Sequence, residues 1–297
     1  MSPWVLETLR EAGRVAAAAR DGGARRIVPG AKVREVCESV EEEILRRGGG
    51  LAFPVQSSRN HVAAHYCPSP EDETTYASGD LAKLDVGVHL DGYVVDTALT
   101  VNVGDLPENR RVLEAARASL DAAIAAVVPG VEVRRVSAVI AETVRSFGLN
   151  PMRNLCGHGV GRWTVHCPPP IPNVPDGAGH RLSLGAVVAI EPFATEGSGV
   201  VAEEGDPEVF RLDPHPERGT QAHPDVVAAI RAFRGLPFAR RQLQAFPRPA
   251  VERTLATLRS EGRLTAYAPL VERTGRPVAQ AEHTLYVGPD GVEVLTR

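Results

Sequence analysis

The segment Lys83–Val103, KLDVGVHLDGYVVDTALTVNV, determines the fold that we predict for the rest of the chain. Apolar and β-branched residues alternate with other residues on both sides of Asp91 and Gly92. An Asp-Gly pair is typical of the type I′ turn that joins two antiparallel strands. The segment therefore predicts a β-hairpin whose turn is formed by these two residues.

The predicted hairpin brings two aspartates to one face of a sheet. With the turn at that position, Gly87 faces Asp96 and Asp85 faces Ala98, because strand side chains alternate between two faces. Asp85 and Asp96 become diagonal neighbours with Cα atoms about 7–8 Å apart, close enough to hold a common cation. Gly87 is expected to leave the space beside Asp96 empty. The pair alone is equally compatible with a metal site and with two aspartates on a solvated face.

Composition and charge narrow the class of protein. The 297 residues are 43% apolar, which is sufficient for a large core in one or two domains. The net charge of −4 gives no electrostatic basis for binding nucleic acid, and no apolar run is long enough to span a membrane. We expect no signal peptide at the first residues, and four cysteines without a C-x-x-C pair favour reduced thiols in the cytoplasm.

Helical patterns recur at a spacing of 100 residues. Apolar periodicity predicts helices over Pro3–Arg20 and Val33–Arg47, separated by a Pro-Gly turn. The residues that recur are Val28-Pro29-Gly30, Val33-Arg34, Val36, Glu42 and Gly48, which match Val128-Pro129-Gly130, Val133-Arg134, Val136, Glu142 and Gly148. The recurrence predicts a duplicated helix-turn-helix unit and two related halves.

The predicted repeat assigns two further acidic residues. GDLAKLD, which ends at Asp85, aligns with GAVVAIE, which ends at Glu191. The next strand-like segment, PVAQAEHTLYV, contains Glu282 as the counterpart of Asp96. Glu191 and Glu282 are 91 positions apart, whereas Asp85 and Asp96 are 11 positions apart. The second half is therefore predicted to contain an insertion of about 80 residues.

The predicted insertion, residues 199–270, has its own pattern. Amphipathic periodicity predicts helices over Pro224–Gly235 and Arg248–Glu261, and proline-rich links separate them. We predict a single catalytic domain over residues 1–297 that contains this insertion as a small helical subdomain at one edge.

Four carboxylates in the middle of one sheet require cations or protons, because a buried cluster of like charges is unstable alone. The segment NLCGHGVGRWTVH supplies His158 and His166, and the glycines beside His158 permit a close approach. An oxygen-rich site with one histidine suits Mn²⁺, Fe²⁺ or Co²⁺, and two such ions lower the pKa of a water between them. Hydrolysis is the predicted chemistry, and competing motifs such as G-x-S-x-G and H-E-x-x-H are missing from the sequence. Other histidines are assigned to structural or loop positions: His89, His180, His215 and His223.

The combined motifs resemble a known family. The candidate metal ligands occur in the order of the five-ligand signature of the creatinase or pita-bread fold: Asp85, Asp96, His158, Glu191 and Glu282. The surrounding segments are similar to type II methionine aminopeptidases of archaeal layout: AFPVQSSRNHVAAHYCP, KLDVGVHLDGYVVDTALTVNVG, NLCGHGVGRWTVH, AIEPFAT, GLPFARR and QAEHTLYV. The resemblance implies an α+β pita-bread fold with an internal pseudo-twofold repeat and a helical type II insertion.

The resemblance implies a role for each candidate ligand. Asp85 would bind one metal ion, and His158 and Glu191 would bind the other. Asp96 and Glu282 would bridge the two. The implied cofactors are two divalent metal ions, and Co, Mn, Fe and Zn all remain open.

The resemblance also implies a substrate pocket. His65 and His166 would contact the substrate and stabilise the tetrahedral intermediate, and Glu191 would carry a proton to the leaving amine. Phe53 and Phe193 would line the pocket for a methionine side chain. For the two phenylalanines, ordinary core packing remains the alternative.

The implied activity is metal-dependent removal of the N-terminal methionine from nascent proteins and peptides in the cytoplasm. The implied partner is that methionine, with a transient ribosome contact, no membrane and no specific nucleic acid, and we expect a monomer. An X-Pro peptidase of the same fold and a non-catalytic relative that binds protein or RNA remain alternatives.

The chain departs from the family at Cys67, where relatives usually have threonine. We hypothesise that Cys67, Cys156 or Cys167 binds soft metals or makes the activity sensitive to oxidation.

Overall fold

A computed structural model of the chain describes residues 1–175, 179–213 and 219–297. The α-helices within them are α1 (Pro3–Ala24), α2 (Val33–Arg46), α3 (Pro107–Ala126), α4 (Val133–Ser146), α5 (Pro224–Ala232) and α6 (Arg248–Ser260). A 3₁₀ helix spans Arg240–Leu243. No helix in these described ranges is long and apolar enough to cross a membrane.

Among the described residues, the two strands of the central hairpin are the longest, with ten residues each. The strands are β1 (Gly50–Leu51), β2 (Gln56–Arg59), β3 (Val62–Ala64), β4 (Leu81–Leu90), β5 (Tyr93–Asn102), β6 (Asn150–Pro151), β7 (Cys156–Gly161), β8 (Thr164–Pro172), β9 (Val187–Ile190), β10 (Phe193–Thr195), β11 (Val201–Glu203), β12 (Val209–Leu212), β13 (Phe238–Ala239), β14 (Leu264–Tyr267), β15 (Leu270–Glu272), β16 (Val278–Gln280), β17 (Glu282–Gly288) and β18 (Gly291–Val294).

The predicted hairpin is confirmed in its strands, its turn and its register. β4 and β5 pair so that Gly87 faces Asp96 and Asp85 faces Ala98. The two turn residues have φ angles of 50° and 85°, and a type I′ turn requires both to be positive. Local turn chemistry therefore fixed the alignment of the two strands.

The hairpin lies inside a nine-stranded sheet. The strand order is β1-β4-β5-β17-β9-β7-β8, with β2 also beside β4 and β18 beside β17. Each neighbouring pair is antiparallel, so β17 joins the hairpin to the strands that follow α4. The structure also contains three smaller sheets, β16-β10-β6, β11-β15-β3 and β13-β12-β14.

Two helix pairs cover one face of the large sheet, each above its own core. Val15 of α1 and Val86 of β4 belong to one buried apolar cluster, which includes residues of α2. Ile140 of α4 and Leu285 of β17 belong to a second cluster, which includes residues of α3. Because neighbouring residues of a strand point to opposite faces, Asp85 lies on the face away from the helices.

The helix bounds follow the predicted pattern with one extension. α2 and α4 each contain 14 residues and begin at Val33 and Val133. α1 continues to Ala24, beyond the predicted end at Arg20. At Gly23, an added Cβ would lie 2.3 Å from Val40 Cγ2 of α2, so a glycine permits the two helices to approach closely.

Residues 199–270 contain a third apolar cluster and more strand structure than the sequence predicted. Phe210 of β12 and Leu255 of α6 belong to this cluster, and β12 pairs with both β13 and β14. The prediction of a small helical subdomain did not include these strands, because each has only two to four residues. α5 ends at Ala232, three residues early, since Arg234 adopts a left-handed φ of 56° that a helix cannot continue.

Candidate metal centre and substrate pocket

Strand register aligns two acidic residues across the sheet. Ala98 of β5 pairs with Asp85 of β4 on one side and with Glu282 of β17 on the other. Directly paired residues of an antiparallel sheet point to the same face. Asp96 lies two positions from Ala98 along β5 and shares that face. Three acidic side chains from three adjacent strands therefore converge on the face opposite the helices.

His158 and Glu191 join this cluster from the strands beyond β17. His158 of β7 pairs with Ala189 of β9, and Glu191 directly follows β9. His158 Nε2 lies 3.6 Å from Asp96 Oδ2 and 3.9 Å from Glu191 Oε1. Asp96, His158 and Glu282 each place one ligand atom within 4.8 Å of the others. All five candidate ligands line the same cavity.

Burial raises the pKa of all four carboxyl groups. It raises the pKa of Asp85 to about 7. Burial, together with the charges of neighbouring carboxylates, raises the pKa of Asp96, Glu191 and Glu282 well above the usual range. Without a cation the cluster therefore retains protons at neutral pH, because several like charges cannot share so small a buried space.

His158 is oriented to offer a lone pair to the cluster. Its Nδ1 lies 3.1 Å from the carbonyl oxygen of Gly159, and a carbonyl only accepts, so Nδ1 carries the proton. Burial, followed by the charge of His166, lowers the pKa of His158 to about 3. The approach to Asp96 is therefore a contact between a neutral imidazole and a protonated carboxyl group rather than an ion pair.

The donor set fits divalent cations. Asp85 Oδ1 and Asp96 Oδ1 are buried without a hydrogen-bond partner, and each such oxygen costs about 1–3 kcal/mol unless a donor or a cation is present. Gln280 Nε2 lies 3.4 Å from an oxygen of Glu191 and from one of Glu282, which makes both hydrogen bonds weak. Four carboxylates and one imidazole nitrogen match the ligands preferred by Mn²⁺, Fe²⁺ and Co²⁺.

The space beside Asp96 is filled, contrary to the prediction for Gly87. The ring of Phe53 lies against Gly87, so that an added Cβ would be 2.2 Å from Phe53 Cε1. Phe53 belongs to a small apolar cluster with Val94 and Val165. The missing side chain at Gly87 thus makes room for an aromatic wall of the cavity, which the hairpin sequence alone could not indicate.

The cavity above the carboxylates has a volume of about 440 Å³. Its lining includes the four residues that the family resemblance assigned to the substrate: Phe53, His65, His166 and Phe193. Phe53 and Phe193 are 5% and 1% exposed, so each packs in a core and also contributes one surface to the cavity. Core packing and pocket lining are therefore compatible at both positions.

Two further histidines flank the cluster. The ring of His166 lies 4.1 Å from that of His158, and the ring of His65 lies 5.8 Å from that of Tyr267. Burial, followed by the charge of His166, lowers the pKa of His65 to about 4. Burial, followed by the charge of Arg211, lowers the pKa of His166. Both imidazoles are therefore neutral at pH 7 and able to donate one N–H each.

Comparison with known proteins identifies the family. The sequence pattern of metallopeptidase family M24 matches residues 7–227. A methionine aminopeptidase of Archaeoglobus fulgidus is 40% identical over 298 residues, which cover 100% of both chains. The chain belongs to metallopeptidase family M24.

Solved structures place this M24 metallopeptidase in a known fold. The crystal structure of methionine aminopeptidase from Thermotoga maritima is 26% identical, with a TM-score of 0.74 and coverage of 100% of this chain and 98% of that chain. Prolidase from Pyrococcus furiosus is 18% identical, with a TM-score of 0.64 and coverage of 100% and 64%. The protein has the mixed α/β pita-bread fold that these structures share.

Some polar residues at the M24 site were not among the sequence predictions: Gln56, Gln280 and Tyr267, all at or beside the cavity. Gln280 could have been predicted from its spacing, because residues two positions apart in an extended chain point to the same side, and Gln280 precedes Glu282 by two. Gln56 pairs with Asp85 across β2 and β4. No local pattern indicates that pairing, since the two residues belong to separate segments.

The cysteines of this M24 metallopeptidase fall into two groups. Cys67 is buried against Val209 and Ala239, and burial raises its pKa to about 12. The hypothesis of a reactive thiol therefore does not fit Cys67. Cys156 and Cys167 both line the cavity.

Three of the four histidines that were assigned to structural or loop positions lie in the described residues. His89 packs 4.7 Å from the ring of Trp163, and its Nδ1 accepts a hydrogen bond from Gly92 N at 3.3 Å, consistent with a structural position. His180 and His223 are exposed. His215 lies outside the described residues.

Proposed function

We propose that the chain removes N-terminal methionine from peptides and nascent proteins by metal-dependent hydrolysis. The observation that carries the proposal is the convergence of four carboxylates and one neutral imidazole beneath a cavity walled by Phe53 and Phe193. Curated relatives at about 40% identity over the whole chain bear the name methionine aminopeptidase. Together these support an enzyme that encloses one apolar residue at the amino end of a chain.

In the proposed arrangement the five ligands hold two divalent ions. Asp85 would hold one ion, His158 and Glu191 would hold the other, and Asp96 and Glu282 would contribute to both. When bound, two such ions supply a water of lowered pKa as the nucleophile at neutral pH. Co, Mn, Fe and Zn are the candidate metals, and the single imidazole among carboxylates favours the first three.

The chain's own residues perform the remaining steps. Phe53 and Phe193 hold the methionine side chain, which positions the first peptide bond over the ligand cluster. His65 and His166 donate N–H groups to the carbonyl oxygen as negative charge develops on it. Glu191 is the proposed proton carrier: as a carboxylate it takes a proton from the attacking water and passes it to the leaving amine nitrogen.

We also propose the type II layout, with residues 199–270 as an insertion in one catalytic domain and a pseudo-twofold relation between the halves. The helices support that relation, because α2 and α4 begin 100 positions apart and have equal length. A cytoplasmic monomer that meets nascent chains beside the ribosome is the form that we propose in the cell.

The decisive experiment measures release of methionine from a Met-Ala-Gly peptide amide by the purified, metal-loaded protein. We expect release that a chelator abolishes and that Asp96→Ala eliminates together with metal content. An Arg253→Gln variant, changed on the exposed surface of α6, provides the matched control and should retain both. Full activity of Asp96→Ala would contradict the proposal.

The same assay separates two alternatives. The pita-bread fold is shared with prolidase, so an Xaa-Pro dipeptide is included as a competing substrate. Turnover of that dipeptide in place of the methionyl peptide would favour an X-Pro peptidase. Bound metal without turnover of either peptide would favour a non-catalytic relative.

A further inference from the structure

A second cavity adjoins the proposed active site. It has a volume of about 600 Å³ and shares four lining residues with the first: Val165, His166, Pro237 and Tyr267. An aminopeptidase encloses only the amino end of its substrate, so the rest of the peptide must leave by a connected path. The shared residues make the second cavity a candidate for that path.

Guanidinium groups dominate the lining of the second cavity. It contains Arg211, Arg231, Arg234 and Arg263, against one carboxylate within the described lining, that of Asp213. Whatever occupies this cavity meets a positive potential. Such a potential attracts carboxylates and repels ammonium groups.

Two of the arginines are engaged by carboxylates. Arg211 Nη2 lies 3.0 Å from Asp213 Oδ1, and Arg263 Nη1 lies 3.6 Å from Glu261 Oε2. Asp213 also accepts hydrogen bonds from Thr265 Oγ1, at 2.9 Å to each of its oxygens. Asp213 therefore balances the charge of Arg211, and Thr265 holds the carboxylate in place.

The other two arginines supply the excess of positive charge. In the described part of the chain, Arg231 and Arg234 have no carboxylate within ion-pair distance. Arg234 Cζ lies 4.0 Å from the centre of the Trp163 ring, and this stacking orients the guanidinium while leaving its N–H edges available. Arg234 is therefore a partly fixed, exposed donor at the rim.

The positive charge also extends towards the proposed active site. Arg211 and His166 line the second cavity together, and His166 also lines the first one. One Arg211 atom, Nε, is buried and lacks a hydrogen-bond partner among the described residues. The guanidinium therefore retains donor capacity near the residues that connect the two cavities.

We propose that the arginine-lined cavity is a subsite for a substrate carboxylate located shortly after the cleaved bond, and that it gives the enzyme a preference for acidic peptides. The inference deepens the proposed function and depends on it. Either an Asp or Glu side chain or the free C-terminus of a short peptide provides this chemistry.

The test compares matched peptides. Met-Ala-Asp-Gly amide against Met-Ala-Asn-Gly amide tests a side-chain carboxylate, and Met-Ala-Gly acid against its amide tests the terminal one. We expect the acidic member to have a kcat/KM about fivefold higher in at least one pair, the size typical of a partly exposed charge contact. Isothermal calorimetry of the metal-loaded protein with the product peptides Ala-Asp-Gly amide and Ala-Asn-Gly amide measures the same preference as a Kd ratio without turnover.

A double variant identifies the residues responsible. Arg211→Gln with Arg234→Gln should bring both ratios to about one, whereas the Arg253→Gln control should retain the wild-type ratios. Thr265 keeps Asp213 hydrogen-bonded in the variant, and a thermal melt checks its fold.

Two outcomes overturn the subsite: ratios of about one in the wild-type protein, or ratios that survive in the double variant. Cleavage of the neutral peptides without any acidic preference would reject the subsite and leave the proposed function intact. A calorimetric preference without any methionine release would reject the proposed function and leave the anionic subsite intact.

Discussion

The hydroxyl group of Thr284 bridges both backbone polar groups of Asp96. It accepts a hydrogen bond from Asp96 N at 2.7 Å and donates one to Asp96 O at 2.8 Å. Regular backbone pairing between β5 and β17 covers only two residue pairs. At Asp96, the Thr284 hydroxyl makes the hydrogen bonds that a paired backbone would otherwise make. A side chain on one strand therefore fixes the backbone that carries a proposed bridging ligand.

Replacing this hydroxyl should loosen the proposed metal centre. Thr284→Val keeps the shape but leaves two buried backbone groups unpaired, which should lower the free energy of unfolding by about 1–3 kcal/mol. Metal affinity, measured by calorimetry, should fall as well. Thr254→Val is the matched control, because the buried Thr254 Oγ1 has no partner in the described structure, and its loss should be neutral or stabilising. Equal effects of the two variants would contradict the bridging role.

The contact between Phe53 and Gly87 predicts a second sensitive position. In Gly87→Ala the added methyl group overlaps the Phe53 ring, which must move into the cavity. Turnover of methionyl peptides, measured as kcat/KM, should fall by about 10- to 100-fold, since small displacements at a reacting site are costly. In Gly22→Ala, the new Cβ would have one neighbour within 4 Å, Arg25 Nη2 at 3.9 Å, so its kcat/KM should be unchanged.

Substitutions of His158 and His166, whose rings are adjacent, should have different effects on metal binding and turnover. We expect His158→Ala to lose metal, because its unprotonated Nε2 faces the carboxylates. We expect His166→Ala to retain its metal and to lose about 10²–10³-fold in kcat, the usual effect of removing an oxyanion donor. Elemental analysis and peptide turnover on the same samples provide the two readouts. Loss of metal from both variants would contradict the separate roles.

Local patterns predicted the hairpin, because the Asp-Gly turn fixes which residues face each other. The repeat and the spacing led to Glu191 and Glu282, although the register is not fully repeated. Ile190 pairs with His283, so Glu282 lies level with Glu191, whereas Asp96 lies opposite Gly87, two positions from Asp85. The family motif QAEHTLYV therefore identified Glu282 more reliably than the predicted internal repeat did.

Contacts between distant segments could not be predicted in this way. Phe53 against Gly87 and Thr284 against Asp96 join residues that no periodicity connects. The strands β12, β13 and β14 are too short for alternation to be recognised, and each contributes a residue to the apolar cluster of residues 199–270. The hairpin and the main helices followed from pattern, whereas the short strands of residues 199–270 and the walls of the cavity followed from packing.

The carboxylate cluster should make the free energy of unfolding depend on pH. Bound metal should reverse the direction of that dependence. Free Asp and Glu have pKa values of about 4, whereas the folded protein raises the pKa of Asp85 to about 7 and raises those of Asp96 and Glu282 well above the usual range. Between these values the folded state holds more protons than the unfolded state. By linkage, the cluster therefore lowers the stability of the metal-free protein as the pH rises from about 4 through 7 and above.

Divalent ions should reverse this loss, since they bind the deprotonated cluster and must compete with protons at low pH. Relative to protein with chelator, we expect excess Mn²⁺ to raise the melting temperature by several degrees more at pH 8 than at pH 5. At a free Mn²⁺ concentration of 100 times Kd, binding adds about 2.7 kcal/mol to the free energy of unfolding. Asp96→Asn removes one charge from the cluster, so its metal-free form should lose less stability between pH 5 and pH 8, and Mn²⁺ should shift its melting temperature little. Because other titrating groups are common to both proteins, the comparison isolates the cluster. An equal Mn²⁺ shift at both pH values, or an undiminished shift in Asp96→Asn, would show that these carboxylates do not hold the metal.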